Sequence, residues 1–503
     1  MTRAIRLLLP PVVGAISALG FAPLNLWPLT LVAVAVLIHL VDRASSPRAA
    51  FVTGWLFGAG HFIAGLAWIA TAFTYQAAMP GFTGWIAVVL LSMILALYPA
   101  AAAGLARAIP ARPAARILFF AALWMATEWL RGHLWSGFAW NPLGAAWLEA
   151  GAVAQAAAWL GALGLSGLMV VAAGAVALAG RRHGAAAVAV TAVICGFAVT
   201  SGFAVPALLP STTLPSTGPI VHLIQPNIGQ DAKYDDPAAH VERYLALSRT
   251  ALGSRPHAPA IVIWSESSVE DLVEEDPASR AHLARLLGPG DLLLFGGVAL
   301  NRDAAGEPAS ATNSLYALDA FGRLIARYDK AHLVPLGEYV PLRPLVARLG
   351  LSRLVPGDIN FLPGPGPRTI ALPGFPDAGI QICYEIVFPA MVVDPAHRPA
   401  WIVNISNDAW FGAWGPPQHL AQARLRAIEE GLPIARVTPT GITAMIDAHG
   451  RIVDEIGQHR VGTLSLRLPP ALSPTPFARL AHWTSFALGL ALVLAGLALR
   501  KRI

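Results

Sequence analysis

The first 217 residues contain three carboxylates (Asp42, Glu128 and Glu149) and no lysine, whereas almost every other acidic residue lies between Val221 and Leu468. A chain divided this sharply cannot be one water-soluble core. Its first part calls for an apolar solvent, and its second part carries the charge of a domain in water. Whole-chain composition agrees. Hydrophobic residues make up 55% and charged residues 13%, with mean hydropathy +0.57, which assigns much of the chain to lipid.

Windows of about 20 apolar residues predict seven membrane helices before the charged region. They fall near 7–22, 26–41, 50–73, 83–106, 116–131, 157–180 and 185–206, with an eighth near 481–499. Arg3 and Arg6 ahead of a short apolar run resemble a secretory signal, but further spans follow at once and no small-x-small cleavage site stands out, so this helix reads as uncleaved. The loops give an orientation. Arg43 and Arg48, Arg107, Arg112 and Arg116, Arg181 and Arg182, and finally Arg500, Lys501 and Arg502 follow the second, fourth, sixth and eighth helices. The alternate loops near Pro23 and from Thr74 to Thr83 carry no basic residue, and the loop after the fifth helix carries Arg131 alone. By the positive-inside bias, both termini are expected in the cytoplasm and the charged domain outside it.

Within the third helix, Gly54 and Gly58 form a G-x-x-x-G spacing that predicts close helix packing. Glu128 to Glu149 gathers Trp129, Trp135, Trp140 and Trp147, either an aromatic belt at the membrane surface or a floor for a lipid substrate. Pro-rich linkers are expected over 207–219 and 469–480, on either side of a domain at 220–468. There, strand-like runs at 220–225, 260–264, 291–297, 314–318, 369–372, 379–383, 401–405, 433–438 and 443–447 alternate with helical stretches at 237–252, 277–287, 385–393 and 417–430. That alternation predicts an α/β sandwich.

The pI near 9.6 does not indicate a nucleic-acid partner. The basic residues of the first part sit in short loops, and those of the second are mixed with acids, without a basic run or aromatic interleaving. The two cysteines, Cys195 and Cys383, cannot form a disulfide within the charged domain, and no Cys/His cluster has zinc spacing. His332 and His419 lack a second ligand at helical or strand spacing and read as hydrogen-bonding scaffold. No metal or cofactor is expected.

Three segments place polar groups at strand ends, where α/β proteins build their sites. Ala260–Trp264 runs into Ser265-Glu266-Ser267, a second run reaches Tyr328-Asp329-Lys330, and Gly379–Ile382 opens into Cys383-Tyr384-Glu385. Alone, Cys383 is an ordinary buried hydrophobe, although a helix start after it would favour thiolate. Glu266, after a buried strand, is either paired with a cation or raised in pKa, as suits a general base. Lys330 is one of three lysines beside 32 arginines. It is either a surface cation or a compact ammonium set to stabilise oxyanion charge.

In order and context, Glu266, Lys330 and Cys383 resemble the Glu-Lys-Cys triad of the nitrilase, or carbon–nitrogen hydrolase, superfamily. Tyr328–Pro341 (YDKAHLVPLGEYVP), Cys383-Tyr384-Glu385, Asn404–Gly412 (NISNDAWFG) and Gly415–His419 (GPPQH) resemble the apolipoprotein N-acyltransferase family more narrowly. The resemblance covers the whole chain and implies a polytopic helical membrane domain of about eight helices plus an α-β-β-α nitrilase-like sandwich. It implies Cys383 as nucleophile, Glu266 as general base and then acid, Lys330 as oxyanion stabiliser, and Glu338 as the glutamate orienting Lys330 and Cys383. Tyr384 and Glu385 match residues important in the family, and Trp410 and Phe411 match aromatics on a mobile, substrate-facing arm. Tyr234 stands where the family usually has Trp, a departure that bears on lipid contact.

The implied reaction carries a fatty acyl chain from a phospholipid through a Cys383 thioester to the α-amine of a diacylglyceryl-cysteine at an apolipoprotein N-terminus. The implied setting is the cell inner membrane, with a periplasmic catalytic domain and a monomeric chain. Two other readings compete. A membrane-tethered hydrolase of small amides or nitriles would use the same triad. A transporter or scaffold would carry ionisable residues within the spans, of which the sequence shows almost none.

Overall fold

A computed structural model describes residues 3–75, 80–179, 196, 218–233, 235–253, 258–335, 337–339 and 361–500. The chain divides into two compact units. One comprises residues 1–211, 410–431 and 473–503, and the other residues 212–409 and 432–472.

The first unit is helical. Its elements are Arg3–Ala18, Trp27–Asp42, Pro47–Gly65, Ile69–Ala72, Phe82–Leu95, Leu97–Ala108, Pro113–His133, Ala157–Leu178, Gly415–Glu430, Pro476–Leu480 and Trp483–Arg500. Three stretches are long and apolar enough to cross a membrane: Phe82–Ala108, Gly151–Leu178 and Trp483–Arg500. A fourth counts if Pro47–Gly65 and Ile69–Tyr75, bent by 53°, form one broken span, and Leu7–Ala18 and Trp27–Asp42 are apolar but shorter. The expected eight spans thus reduce to three or four among the described residues. The run expected near 185–206 lies outside them, residue 196 apart.

Small residues let these helices approach. A Cβ on Gly54 would sit 2.8 Å from the Ala103 Cβ, and one on Gly58 would sit 2.6 Å from the Pro99 Cγ, so the G-x-x-x-G face does pack closely, against Leu97–Ala108. Polar groups are buried as well, more than the sequence suggests. Glu128 Oε2 accepts from the Leu143 N–H at 2.8 Å, and Arg131 Nη1 donates to the carbonyls of Phe138 and Trp140 at 2.9 and 2.8 Å. This pair clamps the 138–143 segment to its own helix, so every buried charge meets a partner. The tryptophans of that segment divide. Trp135 is 87% exposed, as an aromatic belt requires, while Trp140 is 1% exposed and donates to Gln418 Oε1 at 2.8 Å.

Helix Gly415–Glu430 packs Ala421, Leu425 and Ile428 into the same apolar core as Ala162 and Leu165. Gly161 breaks its own helix (φ 64°, ψ 174°), and Glu429 Oε1 takes up the Ala162 N–H at 2.6 Å.

The second unit is built on two six-stranded sheets. The first has the order β12(Gly462–Arg467)–β1(Ile220–Gln225)–β2(Ala260–Ile263)–β3(Leu292–Arg302)–β4(Pro308–Asp319)–β5(Leu324–Asp329). The second has the order β11(Ile452–Ile456)–β10(Thr443–Ile446)–β9(Ile434–Val437)–β8(Trp401–Ile405)–β7(Ala378–Ile382)–β6(Thr369–Ile370). Strands β1, β2 and β3 run parallel, as do β7, β8 and β9, and the flanking strands pair antiparallel. Helices Pro237–Gly253 and Pro277–Ala284 cover the first sheet, packing Tyr244, Leu245 and Leu283 against Val262, Trp264 and Phe295. The sheets meet through Gln225, whose Oε1 accepts from the Thr443 N–H at 3.2 Å.

This unit is an α/β domain of the expected class. Its strands include β5, β11 and β12, which the period-2 pattern does not pick out. The helix expected over 385–393 is a single 3₁₀ stretch, Cys383–Val387. The remaining helical stretch of this half, Gly415–Glu430, groups with the first unit, so the expected second outer helix layer is not contained here.

Candidate active site

Parallel strands β2 and β7 end in the same region of the second unit, and each delivers a candidate residue. Beyond β2, Glu266 sits on a bend with Ser267 at φ 50°. Strand β3 passes directly behind it. A Cβ on Gly296 would lie 2.5 Å from the Ser267 nitrogen and 2.7 Å from the Glu266 Cα, so only glycine fits. Strand β5 delivers Lys330, whose N–H bonds the Asn313 carbonyl on β4 at 2.8 Å. Strand β7 delivers Cys383, buried and at φ 53°, a left-handed conformation uncommon outside glycine and met at functional sites.

The structure brings Lys330, Glu266 and Glu338 into direct contact. Lys330 Nζ donates to Glu338 Oε1 at 2.8 Å and lies 3.3 Å from Glu266 Oε1. Asn313 Nδ2 donates to both carboxylates, at 2.7 Å to Glu266 and 2.9 Å to Glu338. Backbone amides complete the set. The Asn407 N–H reaches Glu266 Oε2 at 2.7 Å, and the Val334 N–H reaches Glu338 Oε2 at 2.8 Å.

Burial pulls the Glu266 carboxyl upward, but the Lys330 ammonium and the donors from Asn313 and Asn407 outweigh it, leaving the group below the usual carboxylate range. Burial pulls Lys330 the other way, and Glu266, Glu338 and Cys383 outweigh it, so the side chain stays an ammonium. Of the two fates open to Glu266 in the sequence, it takes pairing with a cation.

Cys383 departs from expectation. No helix follows to stabilise a thiolate. Burial first, then the Glu266 charge, pushes the thiol well up, with Lys330 and a hydrogen bond involving Ser406 opposing. The resting nucleophile is therefore a neutral thiol beside an ionised carboxylate.

Glu385 ties two of these segments together. Its Oε1 accepts from the N–H groups of Ala331 (2.6 Å) and His332 (3.2 Å) and from Tyr328 Oη (2.8 Å), while Oε2 accepts from the Ile382 N–H at 2.6 Å. The loop carrying Lys330 is thus held to the end of β7. Burial pushes this carboxyl up to about 7 against those donors. Tyr384 is buried beside Phe388, with ring centroids 5.0 Å apart. Trp410 and Phe411 belong to the first unit, where Phe411 packs on Trp68 with centroids 4.7 Å apart. Tyr234 lies outside the described residues.

Sequence reasoning missed Asn313, Asn407 and the Asp408–Arg436 ion pair, closed at 2.6 Å with both side chains fully buried. Asn313 is a lone amide in an otherwise strand-forming run, the one local signal that could have marked it. Among the described residues, no group of three or more His, Cys, Asp or Glu side chains is arranged to hold a metal ion.

An α/β domain of paired sheets with a buried Glu–Lys pair near a strand-end cysteine, in one chain with helices of membrane-spanning length, defines a membrane-associated member of the nitrilase-like class. Comparison with known proteins agrees: a carbon–nitrogen hydrolase profile matches residues 224–473, and a profile for the apolipoprotein N-acyltransferase N-terminal domain matches residues 13–175. The apolipoprotein N-acyltransferase of Rhodopseudomonas palustris is 36% identical over 97% of this chain and 94% of its own. That of Bradyrhizobium diazoefficiens is 38% identical over the same shares, and that of Caulobacter vibrioides is 38% identical over 93% of this chain and 89% of its own. Among solved structures, an amidase from Nesterenkonia sp. aligns over 51% of this chain and 93% of its own, at 16% identity and a TM-score of 0.36. The chain belongs to the apolipoprotein N-acyltransferase family.

Proposed function

We propose that this protein transfers a fatty acyl chain from a phospholipid to the α-amine of the diacylglyceryl-cysteine at the N-terminus of an apolipoprotein, through a thioester on Cys383. The observation that carries the mechanism is the ionised Glu266, held by Lys330 and Asn313, beside a thiol that burial keeps protonated.

A protonated thiol needs a base as it attacks, and Glu266 is that base. Its carboxylate takes the Cys383 proton as sulfur bonds to the ester carbonyl carbon. The oxyanion is stabilised by the Lys330 ammonium and the Tyr384 N–H. Collapse breaks the carbon–oxygen bond, and Glu266 returns its proton to the departing lysophospholipid oxygen. In the second half, the neutral amine of the acceptor attacks the thioester. Glu266 accepts the amine proton, the carbon–sulfur bond breaks, and the proton returns to sulfur. Glu338 positions Lys330, and the clamp at Glu385 keeps the Lys330 loop in register with Cys383. Two displacements replace one slow aminolysis of an oxygen ester.

Donor and acceptor both keep their tails in a bilayer, which is why the catalytic domain shares a chain with apolar helices. The arginine-rich loops favour the inner membrane, cytoplasmic termini and a periplasmic catalytic domain. Trp410 and Phe411, with Tyr234, are assigned to substrate contact. The chain is proposed to act as a monomer, since every residue named in the reaction comes from one chain. A hydrolase of small amides would want water at the thioester, and relatives 36–38% identical over nearly full length carry the transferase name instead.

Intact mass spectrometry after incubation with phospholipid tests the reading. Wild type is expected to gain one hydroxylamine-sensitive acyl group and Cys383→Ala none. An unmodified wild type that releases ammonia from small amides would overturn it.

A further inference from the structure

A second cavity opens on the far side of Glu266 within the catalytic unit. It measures about 400 Å³ and is lined by Gln230, Lys233, His240, Glu266, Glu270 and Asn407 among others. That size falls in the range of small-molecule sites, roughly 300–1,000 Å³. Its cation is notable in this chain, where lysine is scarce: Lys233, Lys330 and Lys501 are all there are. Burial lowers Lys233, and the charges of Glu266 and Glu270 oppose that. A partly desolvated ammonium therefore faces the same carboxylate that handles the reaction's protons.

The geometry of the leaving group makes this placement meaningful. In the proposed first step, Glu266 protonates the glycerol oxygen as the ester breaks, so that oxygen must lie against the Glu266 carboxyl. The phosphate of the same lipid is only a few bonds further along the glycerol. It must then occupy space next to Glu266 on the side away from Cys383. That space is this cavity, and its ammonium carries the charge a phosphodiester needs. We propose that Lys233 binds the phosphate of the donor phospholipid and thereby seats the leaving oxygen on Glu266. Lys233 is a specificity-determining residue for the first half-reaction, and the inference rests on the phospholipid-donor reading above. Glu270, on the same wall, is the counter-charge the phosphate displaces. Gln230, which accepts from Asn407 Nδ2 at 3.0 Å, links the cavity wall to the loop whose N–H holds Glu266.

The test compares two acyl donors on full-length protein in detergent micelles, reading single-turnover acylation of Cys383 by intact mass. Dipalmitoylphosphatidylglycerol carries the phosphate, and p-nitrophenyl palmitate has none and leaves without an acid. Lys233→Ala is expected to slow acylation by the phospholipid about 10- to 100-fold, the worth of one charge-assisted hydrogen bond, and to leave the nitrophenyl ester rate unchanged. Lys233→Arg is expected to recover most of the phospholipid rate. Equal losses on both donors would assign Lys233 a purely structural part, and no loss on either would remove it from the site; each overturns the proposal. A wild type that reacts with the nitrophenyl ester but never with phospholipid would overturn the donor reading itself, a separate result.

Discussion

Lys330 Nζ stands 3.3 Å from Glu266 Oε1, with the lysine side chain 1% and the glutamate 7% exposed. An exposed pair of this kind contributes about 0–1 kcal/mol. This one is out of water, shares Asn313 and Glu338, and cannot lose a member without leaving charge unpaired in the interior. Replacing Lys330 with Met leaves Glu266 and Glu338 facing each other across Asn313. The expected cost is about 3–5 kcal/mol of stability, together with loss of Cys383 acylation. Thermal unfolding in micelles and intact mass read the two effects. A variant of unchanged melting temperature would show that the pair is not the desolvated anchor described here.

Glu266 has opposite effects on two reactions of the same thiol. Its charge keeps Cys383 protonated, so Glu266→Gln should make the thiol more acidic and speed alkylation by iodoacetamide near neutral pH. The same substitution removes the general base, and acyl transfer should fall about 10²- to 10⁴-fold. Peptide mapping separates Cys383 from Cys195. Alkylation and transfer changing in the same direction would contradict the assignment.

The two carboxylates titrate in separate windows. Glu266 lies below its unfolded value, so its contribution is fully present above about pH 4.5 and is lost as pH falls through its lower folded value. Glu385 is pushed up to about 7, so its neutral form suits the fold: stability is fully present below the unfolded value near 4.5 and is lost as pH rises to about 7. Melting temperature should therefore decline between roughly pH 4.5 and 7. In Glu385→Gln that slope should flatten. The variant should also be less stable by about 1–3 kcal/mol at its optimum, because an amide cannot accept on both sides from Ile382 and Ala331. An identical slope in both proteins would place the titration elsewhere.

Gly296→Ala tests how tightly the base is seated. Its Cβ would meet the backbone of Glu266 and Ser267, not a flexible side-chain end, so the bend itself must move. The expected cost is about 1–3 kcal/mol, and a displacement approaching 1 Å at Glu266 should slow acylation up to about 10²-fold. Unfolding and single-turnover rates should fall together. Full activity would show that the bend has slack.

The sequence by itself determined the partition into apolar and charged halves, most of the strands, and the strand-end positions of Glu266, Lys330 and Cys383. These follow from composition and period, which are local properties, and the family resemblance added their roles. Strands β5, β11 and β12 escaped because their burial is mixed: β11 reads half-buried, half-buried, exposed, exposed, buried, and alternation of that kind has no clean period. Tertiary structure alone decided the protonation of the site. Whether Glu266 would be paired or raised depended on Asn313, 47 residues away in sequence, and on the Asn407 N–H, 141 residues away. The state of Cys383 turned on burial and on the absence of a following helix. Electrostatics in a low-dielectric interior is set by which groups meet there, and groups separated by that much chain leave no periodic trace in it.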